Sequence, residues 1–352
     1  MIQVNKFKPD LIRTSENEIQ SDFFQIFFNS KNIFFSVSGK SSIWNILGSF
    51  TPQKKSIIIP YYLCSSVRDS AIKSGYKIYY ADIDIEDLNI SLDSVRSLCN
   101  KYDIGVVLVP SLYGNPANLI EIQRFCNLNG VIMIDDAAQA YGAILEHKNV
   151  GSFGDAGFIS VSPGKPLSGY LGSFFWSKGK VKLKSTFSYR LVNRLMYLDF
   201  KYNRLGIDNR NSYYGGLLNK FLLLIKKIFR SDYHNNLTSY DLKYIYSLAK
   251  LDVNFKSEFI DKFVDNDFFR VLRPHRGKGA DFKLVLIFFS DNEAIKFSNY
   301  LKKNSIYFSY GYSPLSNEFK SYNLIQKKLF EIPIDPMQIK REYVYETIQS
   351  YR

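Results

Sequence analysis

Short apolar runs without polar alternation recur along the first half of the chain. Ile57-Ile58-Ile59-Pro60, Val106-Val107-Leu108-Val109-Pro110 and Val131-Ile132-Met133-Ile134 are rich in β-branched residues. Such runs mark strands buried on both faces. Between them lie stretches of helical periodicity, such as Ile43-Trp44-Asn45-Ile46-Leu47. Strands alternating with helices at this rhythm predict a parallel, doubly wound sheet. Ligands of such a sheet sit in the crevice beyond the carboxyl ends of the strands, so the residues that follow each run are the first candidates for chemistry.

The run at 131–134 ends abruptly on two acids, Asp135 and Asp136, followed by Ala137, Ala138, Gln139 and Ala140. A glycine-rich turn, Gly151-Ser152-Phe153-Gly154-Asp155, precedes a second apolar segment, Gly157 to Ser162, which leads to Pro163-Gly164-Lys165. A lysine introduced by Pro-Gly after a strand stands on a turn at the sheet edge, where its amine can be held near a ligand. If the two strands are neighbours, an acid, a glutamine, a serine and a lysine converge. Each residue also has a plain structural reading: a strand-end turn acid, a surface lysine, a satisfied core hydroxyl.

In combination these residues resemble the pyridoxal-phosphate-dependent sugar aminotransferases of the DegT/DnrJ/EryC1/StrS family. The matching positions are Asp136, Ala137, Ala138, Gln139, Gly142, Gly151, Ser152, Gly154, Asp155, Ser160 and Lys165, with acid and lysine 29 positions apart. The resemblance implies an α/β fold like that of aspartate aminotransferase (PLP fold type I), with a large, mostly parallel-sheet domain over 1–235 and a smaller C-terminal α+β domain over 236–352. It implies pyridoxal 5'-phosphate as cofactor. Lys165 would bond to it and carry protons; Asp136 would pair with the pyridine nitrogen; Ser160 would meet the phosphate, and Gln139 the phenolic oxygen. The implied reaction moves an amino group from an amino acid, glutamate by expectation, to a nucleotide-linked keto-sugar in cell-surface polysaccharide, O-antigen or related sugar biosynthesis. Relatives that dehydrate sugars carry histidine where this chain has Lys165.

Ser38-Gly39-Lys40-Ser41 ahead of a helical pattern is not a nucleotide-binding P-loop, because Phe34 stands where that motif needs a glycine. A glycine and small hydroxyls at a helix start still form a phosphate site from backbone donors. In the family the equivalent turn holds the cofactor phosphate, so Gly39, Lys40 and Ser41 are phosphate-side candidates. Lys40 is a departure from the family's turn. Where relatives stack an aromatic ring on the cofactor, the register falls on Cys64, so either its sulfur or a nearby tyrosine faces the ring. Asn115-Pro116 is expected to line the pocket. Tyr312-Ser313-Pro314-Leu315 echoes a family stretch near the substrate. Tyr170-Leu171-Gly172-Ser173 departs from the family's glycine-rich turn, which bears on the substrate side.

Composition narrows the field. Three scattered cysteines and three scattered histidines support neither a disulfide framework nor a metal site. No stretch approaches the ~20 apolar residues of a membrane span, and a cytoplasmic location is the expectation. An excess of 46 basic over 33 acidic residues gives +13. Without a nucleic-acid signature beside it, this charge does not imply nucleic-acid binding.

The chain diverges most from the family over 178–235. Leu217 to Arg230 is apolar at helical spacing with Lys220, Lys226, Lys227 and Arg230 interspersed. It reads either as an interface helix or as a basic helix in peripheral contact with an anionic membrane. The resemblance implies a two-fold homodimer whose sites are completed by the partner, with the segment Ser231 to Asn236 approaching the partner's cofactor phosphate; the family's asparagine falls at His234, with Asn235 and Asn236 adjacent. The drift at Lys40, Cys64, Tyr170 and Leu171 leaves open a non-catalytic scaffold or regulator built on the same fold.

Overall fold

The computed structural model describes residues 21–162, 164–169, 172–182, 239–250, 259–316, 318–319, 321–334 and 341–351. The expected elements at 217–230 and 231–236, with Asn235, and the domain division at 235/236 lie outside them.

Among the described residues to 250 there are nine strands and six α-helices. After α1 (Ser21–Phe28) and β1 (Ile33–Ser36) come α2 (Gly39–Ser49), β2 (Ser56–Pro60), α3 (Ser65–Lys73) and β3 (Lys77–Ala81). The alternation continues with α4 (Leu92–Lys101), β4 (Val106–Pro110), α5 (Leu119–Asn129) and β5 (Ile132–Asp136). A small hairpin, β6 (Ile144–Leu145) and β7 (Lys148–Asn149), precedes β8 (Ala156–Ser160), β9 (Ser173–Ser177) and α6 (Ser239–Lys250).

Seven strands form one sheet in the order β1-β9-β8-β5-β4-β2-β3. The pairs β2/β3, β2/β4, β4/β5 and β5/β8 are parallel, while β9 runs antiparallel to both its neighbours. This is the mostly parallel α/β sheet expected. Its buried runs have no polar alternation because both faces are covered. Val107, Val109 and Met133 enter one core cluster, while Val106, Leu108 and Ile134 enter another. Helix starts follow the hydroxyls: Ser38 caps α2 by accepting from the Ser41 N–H, and Ser91 caps α4 by accepting from that of Ser94.

A second sheet, β10 (Phe269–Val271), β11 (Lys283–Phe288) and β12 (Leu329–Pro333), is antiparallel in the order β10-β11-β12. With it go α7 (Asp291–Lys303), α8 (Ser321–Ile325) and α9 (Arg341–Gln349). One face of this sheet carries Leu284, Leu286, Phe288, Phe330 and Ile332 into a core shared with α7 and α9. The opposite face sends Val285, Ile287 and Leu329 into the cluster on one side of the large sheet, so the two units are joined by packed apolar surface. Helix α6 sides with the large unit: Tyr244, Ile245 and Leu248 join its core, and the Tyr141 hydroxyl donates to the Ala249 carbonyl at 2.7 Å.

The seam between the units crosses Gly114, whose carbonyl accepts from the Ala280 N–H at 2.9 Å. Gly114 has φ of +82°, and a Cβ there would lie 2.0 Å from the Ala280 carbonyl oxygen. Gly114→Ala therefore meets both backbone strain and a main-chain collision. We expect it to destabilise the fold by about 2–4 kcal/mol, read as a lower urea midpoint with an unchanged slope.

Candidate functional site

The sheet order brings the carboxyl ends of β8, β5, β4 and β2 side by side, and a cavity of about 220 Å³ opens there. Its walls come from the β1–α2 turn (Ser38, Gly39, Lys40), the start of α3 with the residues before it (Leu63, Cys64, Ser66, Val67) and the end of β4 (Pro110, Ser111, Leu112). Asp136 at the end of β5 is followed by Ala138 and Gln139; Phe158 and Ser160 of β8 are followed by Ser162 and Lys165; and Tyr312 reaches in from the C-terminal unit.

Strand alternation gives the two adjacent acids different tasks. Asp136 lines the cavity, and its Oδ1 accepts from the Ala138 N–H at 3.0 Å. Burial pushes its carboxyl up to about 6, against the pull of the Ala138 N–H and the Lys165 charge. Asp135 is turned away and accepts from the N–H groups of Gly151 at 2.6 Å and Phe153 at 3.1 Å, which fixes the glycine-rich turn. Its Oδ1 is buried without a hydrogen-bond partner, and burial drives its carboxyl up to about 8.

Lys165 sits on the turn after β8, its N–H donating to the Ser162 carbonyl at 3.1 Å. Burial pushes its amine down, and the Asp136 carboxylate is the largest influence opposing that shift. An acid and an amine thus act on each other within one largely dry pocket.

Gln139 is held at both ends. Its Oε1 accepts from the Tyr113 N–H at 3.2 Å, and its Nε2 donates to the Tyr312 hydroxyl. Tyr113 offers that N–H from the left-handed region, with φ of 58° and ψ of 22°. A non-glycine residue keeps this conformation only where its surroundings impose it.

On the opposite wall, the start of α2 abuts the end of β8. A Cβ on Gly39 would lie 3.3 Å from Ser160 Oγ, a tight contact that a side chain could make only if Ser160 gave way slightly. Ser160 and Ser162 hydroxyls are 3.3 Å apart. Helix N-terminus, Lys40 and the serines together make a pocket wall suited to an anion.

Of the residues singled out from the sequence, Lys165, Asp136, Gln139, Ser160, Gly39, Lys40 and Cys64 line this one cavity. Ser41 does not line it: its side chain is buried in the first turn of α2 and its N–H is taken by the Ser38 hydroxyl at 3.3 Å. Ser38, one position before the glycine, lines the wall instead. Asn115-Pro116 also falls outside, because the 3-10 turn Leu112–Gly114 carries the chain away after Ser111 and Leu112 have contributed. Of the tyrosines near Cys64, Tyr312 lines the cavity, whereas Tyr61 and Tyr62 do not. Tyr61 stacks on Phe319 with centroids 4.5 Å apart, and the Tyr62 hydroxyl meets that of Tyr113 at 2.7 Å.

Sequence reasoning passed over Ser38, Ser66 and Ser162. The cap position ahead of Gly39 and the two-residue spacing from Ser160 are the signals that point to the first and last. The Gln139–Tyr312 contact spans 173 residues, and no local pattern announces it. Among the described residues no group of three or more His, Cys, Asp or Glu could hold a metal ion, and no helix is long and apolar enough to cross a membrane.

The DegT/DnrJ/EryC1/StrS aminotransferase family matches residues 45–172. Over 116 residues, 33% of this chain and 31% of the relative, the protein is 27% identical to a GDP-perosamine synthase of Vibrio cholerae. Over 153 residues, 42% of this chain and 40% of the relative, it is 29% identical to a UDP-4-amino-4,6-dideoxy-N-acetyl-beta-L-altrosamine transaminase of Campylobacter jejuni. The matches therefore span well under half the length of these curated relatives. The fold is shared much further: the structure of an E. coli GDP-4-keto-6-deoxy-D-mannose-3-dehydratase with bound hydrated PLP superposes with a TM-score of 0.69 at 18% identity, covering 96% of this chain and 92% of that one.

The pH response of stability isolates Asp135. Its carboxyl is raised from 3.8 to about 8 in the folded protein, so between these values the folded state binds more protons than the unfolded one and stability falls as pH rises. Asp135→Asn keeps an oxygen for the Gly151 and Phe153 N–H groups and removes that titration. The difference in unfolding free energy, variant minus parent, is expected to grow in favour of the variant as pH rises through this window in urea titrations. A flat difference would count against the assignment.

Proposed function

We propose, from the premise that residues 45–172 belong to the DegT/DnrJ/EryC1/StrS aminotransferase family, that this protein is a pyridoxal-phosphate-dependent aminotransferase. It transfers an amino group from an amino acid, glutamate in this reading, to a nucleotide-linked keto-sugar. The observation that carries the proposal is the meeting of Lys165 and Asp136 in one cavity that also holds the start of α2. The names of the Vibrio and Campylobacter relatives support a nucleotide-sugar substrate, and the bound PLP of the E. coli structure supports the cofactor.

The residues present fit that group. Gly39 packs closely on Ser160, and the backbone there, Lys40, Ser160 and Ser162 form a cradle for the phosphate. Asp136, buried and facing the cavity, would hold a proton on the pyridine nitrogen. When bound, pyridoxal phosphate supplies an electron sink for cleaving bonds at the amino-bearing carbon. Lys165 is the residue for attachment and for moving the proton at that carbon, since burial makes its amine a readier base near neutral pH than an exposed lysine. Gln139 would contact the phenolic oxygen, and Cys64 would face the ring. Lys165 in place of histidine favours amino transfer over dehydration.

The wider reading places the enzyme in the cytoplasm, in cell-surface polysaccharide synthesis, as a homodimer. Residues 1–235 form its cofactor domain, and 236–352 its smaller domain, α6 excepted.

The purified protein is expected to take up pyridoxal phosphate and show a visible absorption band that changes on adding glutamate. Lys165→Ala should abolish the band and lower turnover by about a thousandfold or more without lowering the unfolding midpoint. A parent protein that never binds the cofactor would sink the reading. Lys40→Met should weaken cofactor uptake about tenfold or more, the loss expected for one charge-assisted contact to a phosphate, as measured by fluorescence titration.

A further inference from the structure

The C-terminal sheet directs two charged side chains toward the large unit. Glu331 pairs in register with Val285, and Lys283 lies two residues before Val285 on the same strand. Both therefore share the face that carries Val285, Ile287 and Leu329 into the core against the large sheet. Lys283 Nζ is 2.5 Å from Glu331 Oε2, with side chains 19% and 5% exposed. Desolvating such a pair often costs as much as the attraction returns, so stability alone is a weak reason for it.

The remaining contacts of the carboxylate run in one direction. Ser309 donates to Oε2 at 2.9 Å and Tyr113 donates to Oε1 at 2.7 Å. Because Tyr113 uses its hydroxyl proton there, Tyr62 is the donor in the 2.7 Å contact between the two phenols. The Tyr62 oxygen in turn accepts from the Tyr312 N–H at 3.3 Å. The Tyr113 backbone N–H requires an oxygen, which fixes the Gln139 amide with Oε1 toward it and Nε2 toward the Tyr312 hydroxyl. Of the two cavity residues, Tyr312 thus hangs by its N–H from the Tyr62 phenol, and Gln139 hangs from the backbone N–H of Tyr113, whose phenol is anchored on Glu331.

We propose that the Lys283–Glu331 pair is the positioning device of this site: by anchoring the Tyr113 phenol it fixes the Tyr113 backbone N–H that holds Gln139 and the Tyr62 hydroxyl that holds Tyr312, and it sets the charge that the C-terminal unit presents to the Lys165 amine. The catalytic consequence rests on the aminotransferase reading; the effect on Lys165 does not.

Among the described residues, four ionisable side chains act on that amine. Asp136 after β5, Cys64 before α3 and Glu331 on β12 favour its charged form, and Lys283 on β11 opposes it. Tyr312, also in the cavity, is held far above the usual phenol range by burial and stays neutral. Neutralising Glu331 leaves Lys283 unopposed, so Lys165 loses its proton at lower pH. Neutralising Lys283 has the opposite effect, and neutralising both restores the balance.

The test is the pH dependence of Lys165 acylation by acetic anhydride in cofactor-free protein, read by peptide mass spectrometry. Glu331→Gln is expected to move the midpoint down by about one unit and Lys283→Met to move it up, with the double variant near the parent. Glu331→Asp keeps the charge and should keep the parent midpoint, which separates a charge effect from damage to folding; near-UV circular dichroism checks each variant. Midpoints that coincide in all variants, or single variants that shift the same way, overturn the proposal.

In the loaded protein, Glu331→Gln should lower kcat about tenfold to a hundredfold while cofactor affinity stays near that of the parent. If the midpoints move as stated but the parent does not react with glutamate, the aminotransferase reading fails and the pair stands. If the parent turns over and the midpoints do not move, the pair fails and the reading stands.

Discussion

Holding the Asp136 carboxylate and the Lys165 amine in one buried pocket constrains everything around them. Each charge loses hydration there, and each is retained because the other offsets part of that cost. The arrangement requires β5 and β8 to be parallel neighbours, with Asp136 opposite Phe158, two residues before Ser160. It also requires the turn after β8 to fold back over the strand ends. Asp135 secures the approach to β8 from the opposite face by binding the Gly151–Phe153 turn, at the expense of a carboxyl that burial keeps from ionising readily.

The second unit completes the site instead of merely flanking it. Its three-stranded sheet uses one face for its own aromatic core and the other for the seam, where apolar packing surrounds a short line of polar contacts. That line runs from Lys283 and Glu331 through two tyrosine hydroxyls to the cavity. A fully donated carboxylate is well suited to this work, since every lone-pair direction it uses is occupied and the phenols have few alternative orientations.

Two of the departures from the family pattern, Lys40 and Cys64, lie on the cavity wall, not in the frame. Lys40 adds a cation at the start of α2, and Cys64 adds a small polarisable group beside α3. Neither disturbs the sheet order, so the frame tolerates drift in the residues that line the cavity.

The sheet was legible in the chain because its strands are buried on both faces, and the requirement for unbroken apolar runs is local. The acid, glutamine, serine and lysine were legible for a related reason. Each occupies a strand end or the turn after it, and a parallel sheet brings strand ends to one edge. Spacing located the turns at Ser41 and Asn115-Pro116 but not the direction in which their side chains leave. That direction was decided by the Ser38 cap and by the left-handed Tyr113. Tyr312 was legible only through a family-like stretch, and Lys283 and Glu331 had no local signature at all. Their relation to Gln139 and Lys165 exists only once β11 and β12 pack against the large sheet, because hydrogen bonds between residues so far apart in sequence are specified by tertiary packing and not by any periodicity of the chain.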